Sequence, residues 1–395
     1  MDSQYVIIGG GLAGGKAAEA LREHGFDGTI ILLCAEAHLP YERPPLSKDL
    51  LAGRADRASV FVHDADWYVR HRIDVRTGVR ATRIDRGERL VGLDDGGAVH
   101  YDKLLLATGS APRQFPGDPD VRYLRTLDDA QALRAGLGDG RSLLIVGAGW
   151  IGLEAAATAR QAGTAVTVVE PAELPLRTVL GERLGRLLAD LHRGEGVDLR
   201  LGVSVDDVTA TGVTTAGGEE LIADTVLVGI GAVPQVGLAE EAGLAVGDGV
   251  EVDAGLRTDD PDIFAVGDIA DHDHPLFGRL RVEHWATALN QPAVAAANML
   301  GGDLVYDKLP YFYTDQFGFS MEYRGHASGD DTVVLRGDTD SLEFLAFWLD
   351  ADQRVLAGMN VNRWDDGGAI AHLVRARAQV DPDRLADPRI ALTDL

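Results

Sequence analysis

The chain has 395 residues, 46% of them hydrophobic, with 48 glycines and a formal net charge of −25. That length allows two or three turn-rich α/β domains, each with its own core, and the acidic balance argues against nucleic acid as a partner. A lone cysteine, Cys34, excludes an intramolecular disulfide; with no apolar run near the roughly 18 residues of a membrane span and no leader-like start, the expectation is a cytoplasmic protein that no membrane holds.

From the N-terminus, Tyr5 to Ile8 is an apolar run. Gly9-Gly10-Gly11-Leu12-Ala13-Gly14 follows, then a helical stretch to about His24 and a return strand from Ile30 to Leu33. Glu36 lies just past that strand, and Cys34 at its end reads as a small buried apolar residue. In the next loop Pro44 and Pro45 stiffen the chain between Arg43 and Lys48. Such a loop can aim an arginine at a pyrophosphate and a lysine at a flavin, or simply connect to the next helix. Residues 58–102 alternate short apolar runs with turns, as an antiparallel insertion would. Within this stretch, residues 67–90 carry seven arginines (Arg70, Arg72, Arg76, Arg80, Arg83, Arg86, Arg89) against Asp74, Asp85 and Glu88. They form either a docking face for an acidic partner or a merely solvated surface. Leu104 to Gly109 (with Ala107-Thr108-Gly109 at its end) is a buried strand that should rejoin the first sheet, and the prolines at 112 and 116 mark a domain boundary.

Leu143 to Glu170 repeats the first pattern more completely. An apolar strand leads into Gly147-Ala148-Gly149-Trp150-Ile151-Gly152, an alanine-rich helix and a second strand closed by Glu170. Gly147 permits the tight turn, Gly149 lets backbone approach a pyrophosphate, and Gly152 lets helix and strand pack closely. Glu170 stands where a carboxylate accepts from a ribose hydroxyl. Two complete strand–turn–helix–strand units imply two dinucleotides in two lobes, most simply one retained flavin and one exchangeable nicotinamide. Gly229 to Pro234, including Gly231, closes the second lobe.

Asp262 to Asp268 is a further buried strand, and Asp268 behind Gly267 suits a hydrogen bond to a flavin polyol. A helix from Trp285 to Met299 follows, with Pro292 kinking it or marking its first turns. Its N-terminus would favour negative charge at a reduced flavin's pyrimidine edge. Asp271-His272-Asp273-His274 reads as a solvated polar loop, and no metal site is expected. The last 85 residues, rich in aromatics, read as a small antiparallel α+β domain ending in a polar tail from Asp381. The predicted fold class is α/β, with two Rossmann-like dinucleotide-binding domains and a small C-terminal α+β domain. The boundaries are 1–111 with 235–310 (FAD), 112–234 (NADH) and 311–395.

Taken together, Gly9–Gly14, Arg43–Lys48, Ala107–Gly109, Gly147–Glu154, Gly229–Pro234, Gly267-Asp268, Glu283-His284-Trp285 and Thr314-Asp315-Gln316 resemble the flavoprotein NADH:ferredoxin reductases of bacterial oxygenase and P450 systems. These are glutathione-reductase-like members of the pyridine nucleotide-disulfide oxidoreductase superfamily, and the resemblance spans the chain. It implies FAD held by Gly9, Gly11, Leu12, Ala13, Gly14, Glu36, Arg43, Lys48, Ala107, Thr108, Gly109, Gly267, Asp268, Glu283, His284 and Trp285. It implies NADH held by Gly147, Gly149, Trp150, Ile151, Gly152, Glu154, Glu170, Arg177 and Gly231, with Ile151 against the nicotinamide and Glu170 repelling the 2′-phosphate of NADPH. Lys48 and Glu154 are implied as the catalytic pair beside flavin N5. The implied acceptor is a small ferredoxin, of [2Fe–2S] type, met by a monomer or homodimer.

The chain departs from its wider superfamily in having no cysteine between Tyr41 and Lys48, which excludes disulfide reduction. It also has Tyr313 where a tryptophan is common, so an aromatic face by the flavin survives while a special electron-transfer role for it is in question. Rubredoxin reductase, NADH oxidase or small-molecule reductase, and a redox-responsive protein like apoptosis-inducing factor stay open as alternatives.

Overall fold

The computed structural model describes residues 3–116 and 120–395. The chain divides into two compact units: one runs up to Arg43 and resumes over Arg57–Ala111 and Ala232–Pro310; the other comprises Pro44–Asp56, Pro112–Gly231 and Tyr311–Leu395.

The first unit is built on a five-stranded sheet in the order Ile263–Ala265, Lys103–Leu106, Gln4–Ile8, Thr29–Cys34, Ile73–Thr77, parallel throughout. Its central strands are continuous apolar runs (QYVII, TIILLC) because both sheet faces are covered. Helices Leu12–Glu23 and Trp285–Met299 pack together through small residues; Ala17, Ala18, Ala295 and Ala296 are wholly buried. Pro292 sits inside the second of these helices and does not end it, so the Ala288 carbonyl loses its usual helical donor.

The second unit has a four-stranded parallel sheet in the order Asp198–Leu201, Ala165–Glu170, Ser142–Val146, Thr225–Val228. Its other large sheet is antiparallel: Tyr311–Gln316, Phe319–Gly325, Val355–Val361, Glu343–Leu349, Thr332–Asp338. Leu180, Leu184 and Leu188 join Phe319, Met321, Phe344 and Trp348 in one apolar cluster, which docks helix Glu182–Gly194 on that sheet.

Two expectations are corrected and two details are added. Within 58–102, Ile73–Thr77 joins the parallel sheet, and only Ala81–Asp85, Leu90–Leu93 and Ala98–His100 form an antiparallel insertion. Asp271 to His274 is no solvated loop. It belongs to strand Ala270–His274, paired on both sides, with Asp271, His272 and His274 buried. The tail after Asp381 is held down by Arg336, whose buried guanidinium donates to the carbonyls of Leu385, Asp387, Pro388 and Ile390. Lastly, the Tyr41–Lys48 loop is shared: Arg43 belongs to the first unit and Lys48 to the second.

Candidate functional site

In the first unit the glycine turn does three separable things. Gly9 has φ +126°, and a Cβ there would stand 2.1 Å from the Ala107 carbonyl oxygen. A Cβ on Gly14 would stand 1.9 Å from Gly9 O, so helix and turn close only without side chains. Around Gly11, by contrast, nothing lies within 4 Å of where a Cβ would be. The turn thus leaves an open cradle at the start of helix Leu12–Glu23, whose N-cap is Gly11. Backbone N–H groups and the positive end of the helix face an anion in such a place. Leu12 and Ala13 are buried behind it.

Arg43 lies beside this turn, since Tyr41 bridges to Gly11. Its guanidinium is 3.0 Å from Glu36 Oε1 and 3.1 Å from the Tyr41 hydroxyl, which itself donates to Glu36. Burial works against the charge, but Tyr41, Glu36 and Asp268 outweigh it and hold the guanidinium above its ordinary value. Arg43 is therefore a fixed cation, and Glu36 is its counter-ion. Elsewhere in the unit, Ala107 N donates to Ile8 O, Thr108 Oγ1 donates to Gln235 O, and Gly109 O accepts from Gln235 N. Gly267 N donates at 2.8 Å to Gln291 Oε1, and the other end of that wholly buried amide, Nε2, has no partner among the described residues. Arg281 donates to the Asp268 carbonyl and pairs with Glu283, which also accepts from Ser110. His284 caps the helix that begins at Trp285, and Trp285 Nε1 donates to Glu42 at 3.0 Å. An open cradle, a fixed arginine and an unspent buried donor beside Gly267-Asp268 fit FAD.

The second unit repeats the cradle. Gly147 has φ +105° and a Cβ there would lie 2.4 Å from Gly229 O, while one on Gly152 would lie 2.1 Å from Gly147 O. At Gly149 the nearest atom is 3.9 Å away, so the middle position is again open. Glu170 accepts from the backbone N–H groups of Ala148 (2.8 Å) and Ala172 (3.0 Å). Its carboxylate thus faces the turn with acceptor capacity left for a ribose hydroxyl. Trp150 packs on Phe312 with ring centres 4.6 Å apart, and Ile151 stays 45% exposed at the helix start, the exposure a stacking surface needs. Gly231 O accepts from Arg113 N. Arg177 is exposed on a cleft with Glu173, Glu182, Arg186, Asp190 and Arg193, none of which belongs to the Gly147–Gly152 turn. These features fit a dinucleotide bound from solvent.

Glu154 is the second turn of helix Trp150–Gln161 and only 3% exposed. Three donors converge on it. Lys48 Nζ lies 2.6 Å and Ser47 Oγ 2.5 Å from Oε2, and Thr314 Oγ1 lies 2.5 Å from Oε1. Lys48 is itself 15% exposed and stands 5.4 Å from the centre of the Tyr313 ring. Removing one member of so buried a pair typically costs about 3–5 kcal/mol, because the other charge is left uncompensated. Lys48 and Glu154 were legible in sequence; Ser47 and Gln291 were passed over. Only their places, next to Lys48 and on the helix after Trp285, could have signalled them.

The arginine-rich stretch is largely self-neutralised. Arg70, Arg72, Arg76, Arg83, Arg86 and Arg89 each have a carboxylate within 4.0 Å (Asp64, Asp27, Asp74, Asp85, Asp260 and Asp262). Among the described residues no cluster of three or more His, Cys, Asp or Glu could hold a metal ion, and no helix is long and apolar enough to cross a membrane.

A fold of parallel sheets carrying two such cradles defines a nucleotide-binding α/β protein, and comparison with known proteins specifies it. Residues 3–292 match the pyridine nucleotide-disulphide oxidoreductase model and residues 311–395 the reductase C-terminal model. The chain belongs to the pyridine nucleotide-disulphide oxidoreductase family. It is 44% identical to the ferredoxin–NAD(+) reductase component of the anthranilate 1,2-dioxygenase system of Burkholderia cepacia, over 98% of both chains. It is 39% identical to rhodocoxin reductase of Rhodococcus erythropolis, over 97% of this chain and 92% of that one. Among solved structures, the reductase in the covalent putidaredoxin reductase–putidaredoxin complex superposes with a TM-score of 0.95 at 36% identity, over 99% of this chain and 97% of that one.

Proposed function

We propose that this protein is an NADH-dependent, FAD-containing ferredoxin reductase serving an oxygenase or P450. Relatives of nearly its full length are named ferredoxin–NAD(+) reductase components of dioxygenase systems, and one solved relative is putidaredoxin reductase in a covalent complex with putidaredoxin. The observation that carries the reading is the pair of open cradles, at Gly11 and at Gly149, each walled by glycines that admit no side chain. FAD, when bound, accepts hydride from NADH as two electrons and releases them one at a time.

The residues divide that work as follows. Gly9, Gly11 and Gly14 bring the first helix terminus to the FAD pyrophosphate, with Arg43 as counter-charge, and Asp268 and Gln291 address the rest of the cofactor. Leu12, Ala13, Ala107, Thr108, Gly109, Glu283, His284 and Trp285 shape its bed, and Glu36 holds Arg43. Gly147, Gly149 and Gly152 receive the NADH pyrophosphate, with Trp150, Arg177 and Gly231 alongside. Glu170 takes the adenosine ribose and disfavours a 2′-phosphate. Ile151 offers its exposed side chain to the nicotinamide. Lys48 and Glu154 hold a fixed charge pair for the hydride step, which needs no protein proton, and Tyr313 lies against that lysine. The lone cysteine is buried, so disulfide chemistry has no group to run on.

We place the partner as a small [2Fe–2S] ferredoxin. We divide the chain at 111, 234 and 310 into FAD, NADH and C-terminal domains, and assign it to the cytoplasm, where NADH is the reductant to hand. The test is stopped-flow mixing of the NADH-reduced protein with [2Fe–2S], [3Fe–4S] and rubredoxin-type acceptors. The expected result is a yellow protein that NADH bleaches and a [2Fe–2S] ferredoxin reoxidises fastest. Colourless protein, or yellow protein that NADH leaves unchanged, would overturn the assignment; fastest reoxidation by a rubredoxin or by oxygen would overturn the partner.

A further inference from the structure

The donors that converge on Glu154 have an origin deeper in the second unit. Thr314 Oγ1, which donates to Glu154, accepts in turn from Gln316 Nε2 at 3.2 Å. Gln316 Oε1 is 2.9 Å from Nε2 of His192, on helix Glu182–Gly194. The three side chains are closed to solvent: Thr314 and His192 are 0% and Gln316 1% exposed. His192 Nδ1 is buried without a partner among the described residues, and burial, opposed only by the Gln316 contact, depresses the imidazole's affinity for a proton. The ring is therefore neutral, with its hydrogen on Nε2.

That hydrogen fixes the direction of the whole chain. Because His192 donates, the Gln316 amide must present its oxygen to the ring and its NH2 to Thr314; the reverse would set donor against donor. Because Thr314 receives a hydrogen from Gln316, its own hydroxyl hydrogen turns to Glu154. A histidine that served only to fill the core would need no such ordered partner. Low local dielectric makes each link strong and an unmade one costly.

We propose that His192, Gln316 and Thr314 are positioning residues for flavin reduction: they hold the Glu154 carboxylate, and through it the Lys48 ammonium, in one orientation. The inference rests on the reading that the Lys48–Glu154 pair serves the hydride step.

The experiment is anaerobic stopped-flow reduction of the FAD-loaded protein by NADH, giving the limiting rate and the NADH dissociation constant separately. Thr314→Val keeps the shape and removes the hydroxyl. It should lower the limiting rate about tenfold with the dissociation constant within about twofold, and Thr314→Ser should restore the rate to within about twofold. Gln316→Glu presents only acceptors, draws the Thr314 hydroxyl away from Glu154, and should slow reduction as T314V does. His192→Phe should cost about threefold alone and nothing further on top of T314V, since links of one chain are not additive. T314V or Q316E reducing at the wild-type rate, or T314V and H192F combining as the product of their single effects, would overturn the inference. If T314V yields no folded flavoprotein, Q316E with H192F decides on the same criteria. A wild type that NADH fails to bleach overturns the functional reading and this inference with it; a wild type that bleaches while T314V matches it overturns the inference alone.

Discussion

The two glycine turns share a backbone yet end differently, and the proposed function gives a retained cofactor to one and an exchanged cofactor to the other. Pairing register aligns them: Ile8 faces Leu33 in the first sheet as Val146 faces Val169 in the second, so Cys34 and Glu170 occupy the same place. In the second turn that place holds a carboxylate, and the neighbouring turn residue is Ala148, whose N–H the carboxylate accepts. In the first, a thiol fills it, and the turn residue must be Gly10, where a Cβ would come within 2.6 Å of Cys34. The first unit puts its acid two residues later, at Glu36, and ties it to Arg43 and Tyr41. One acid is thus bound into an ion pair; the other is held by backbone N–H groups alone, with acceptor capacity left over.

The most severe way to break the comparison is to deny both turns their closure. Gly14→Ala and Gly152→Ala each drive a methyl to about the same depth, 1.9 and 2.1 Å from a carbonyl oxygen. Each should destabilise by about 3 kcal/mol or more, because backbone has to move. G14A should yield colourless or insoluble protein. G152A should retain flavin in whatever fraction folds, and thermal melts followed by flavin fluorescence would separate the two.

Substitution at the open middle glycines sharpens the contrast. Gly11→Ala and Gly149→Ala add a methyl where the protein itself has room, so both should fold. G149A should raise KM for NADH about tenfold to a hundredfold, equal to about 1.4–2.8 kcal/mol of lost binding, with flavin content unchanged. G11A should do the reverse: flavin is lost on dialysis, while KM for NADH in protein reloaded with FAD is unaltered. A smaller effect is expected at Glu170. Glu170→Gln keeps acceptor geometry and removes the charge, and should improve the NADPH-to-NADH ratio of kcat/KM about tenfold, chiefly by relieving repulsion. A ratio left where it was would mean that the carboxylate does not face the ribose.

How far this was legible in sequence follows from how local each cause is. Glycines at Gly9, Gly14, Gly147 and Gly152 announce themselves because the turn imposes its demand within a few residues. The parallel strands announce themselves as apolar runs. Lys48 stood out locally, beside the paired prolines, but Glu154 and its pairing with Lys48 came only from resemblance, since 106 positions separate the two. The Asp271–His274 run misled because its composition is that of a loop, while its burial is set by strands Val250–Val252 and Gly278–Arg281 on either side. The anchoring of the C-terminal tail could not be read either: the charge that holds it, Arg336, lies some fifty residues upstream and donates to carbonyls. His192 sits on the buried side of its helix like an ordinary core residue, and only the strand carrying Gln316 gives it a polar partner.

The smallest effect expected concerns Cys34, and it bears on the same alignment. Burial, with Glu36 nearby, pushes its thiol up to about 12, and the side chain is 0% exposed. A raised value means that the thiolate is the disfavoured form throughout the working range. At pH 8 only about one molecule in ten thousand carries it, and reaction with a thiol reagent needs both that form and access. Native protein should therefore leave dithionitrobenzoate and iodoacetamide unreacted over an hour, with NADH turnover unchanged, and one thiol should appear on denaturation. The rate of labelling should climb about tenfold per pH unit and keep climbing past pH 10, where a thiol of ordinary pKa has levelled off. Cys34→Ala should keep flavin and activity, losing about 1 kcal/mol of stability for the sulfur it removes against Gly10. The telling variant is Cys34→Glu, which copies the second turn into the first. With Gly10 in place of an alanine the carboxylate has at least the room it has in the second turn, and Arg43 would then have two acids to choose between. C34E is expected to fold with weakened flavin retention; unchanged retention would show that the acid's position, two residues later in this turn, is not what distinguishes the two cofactors.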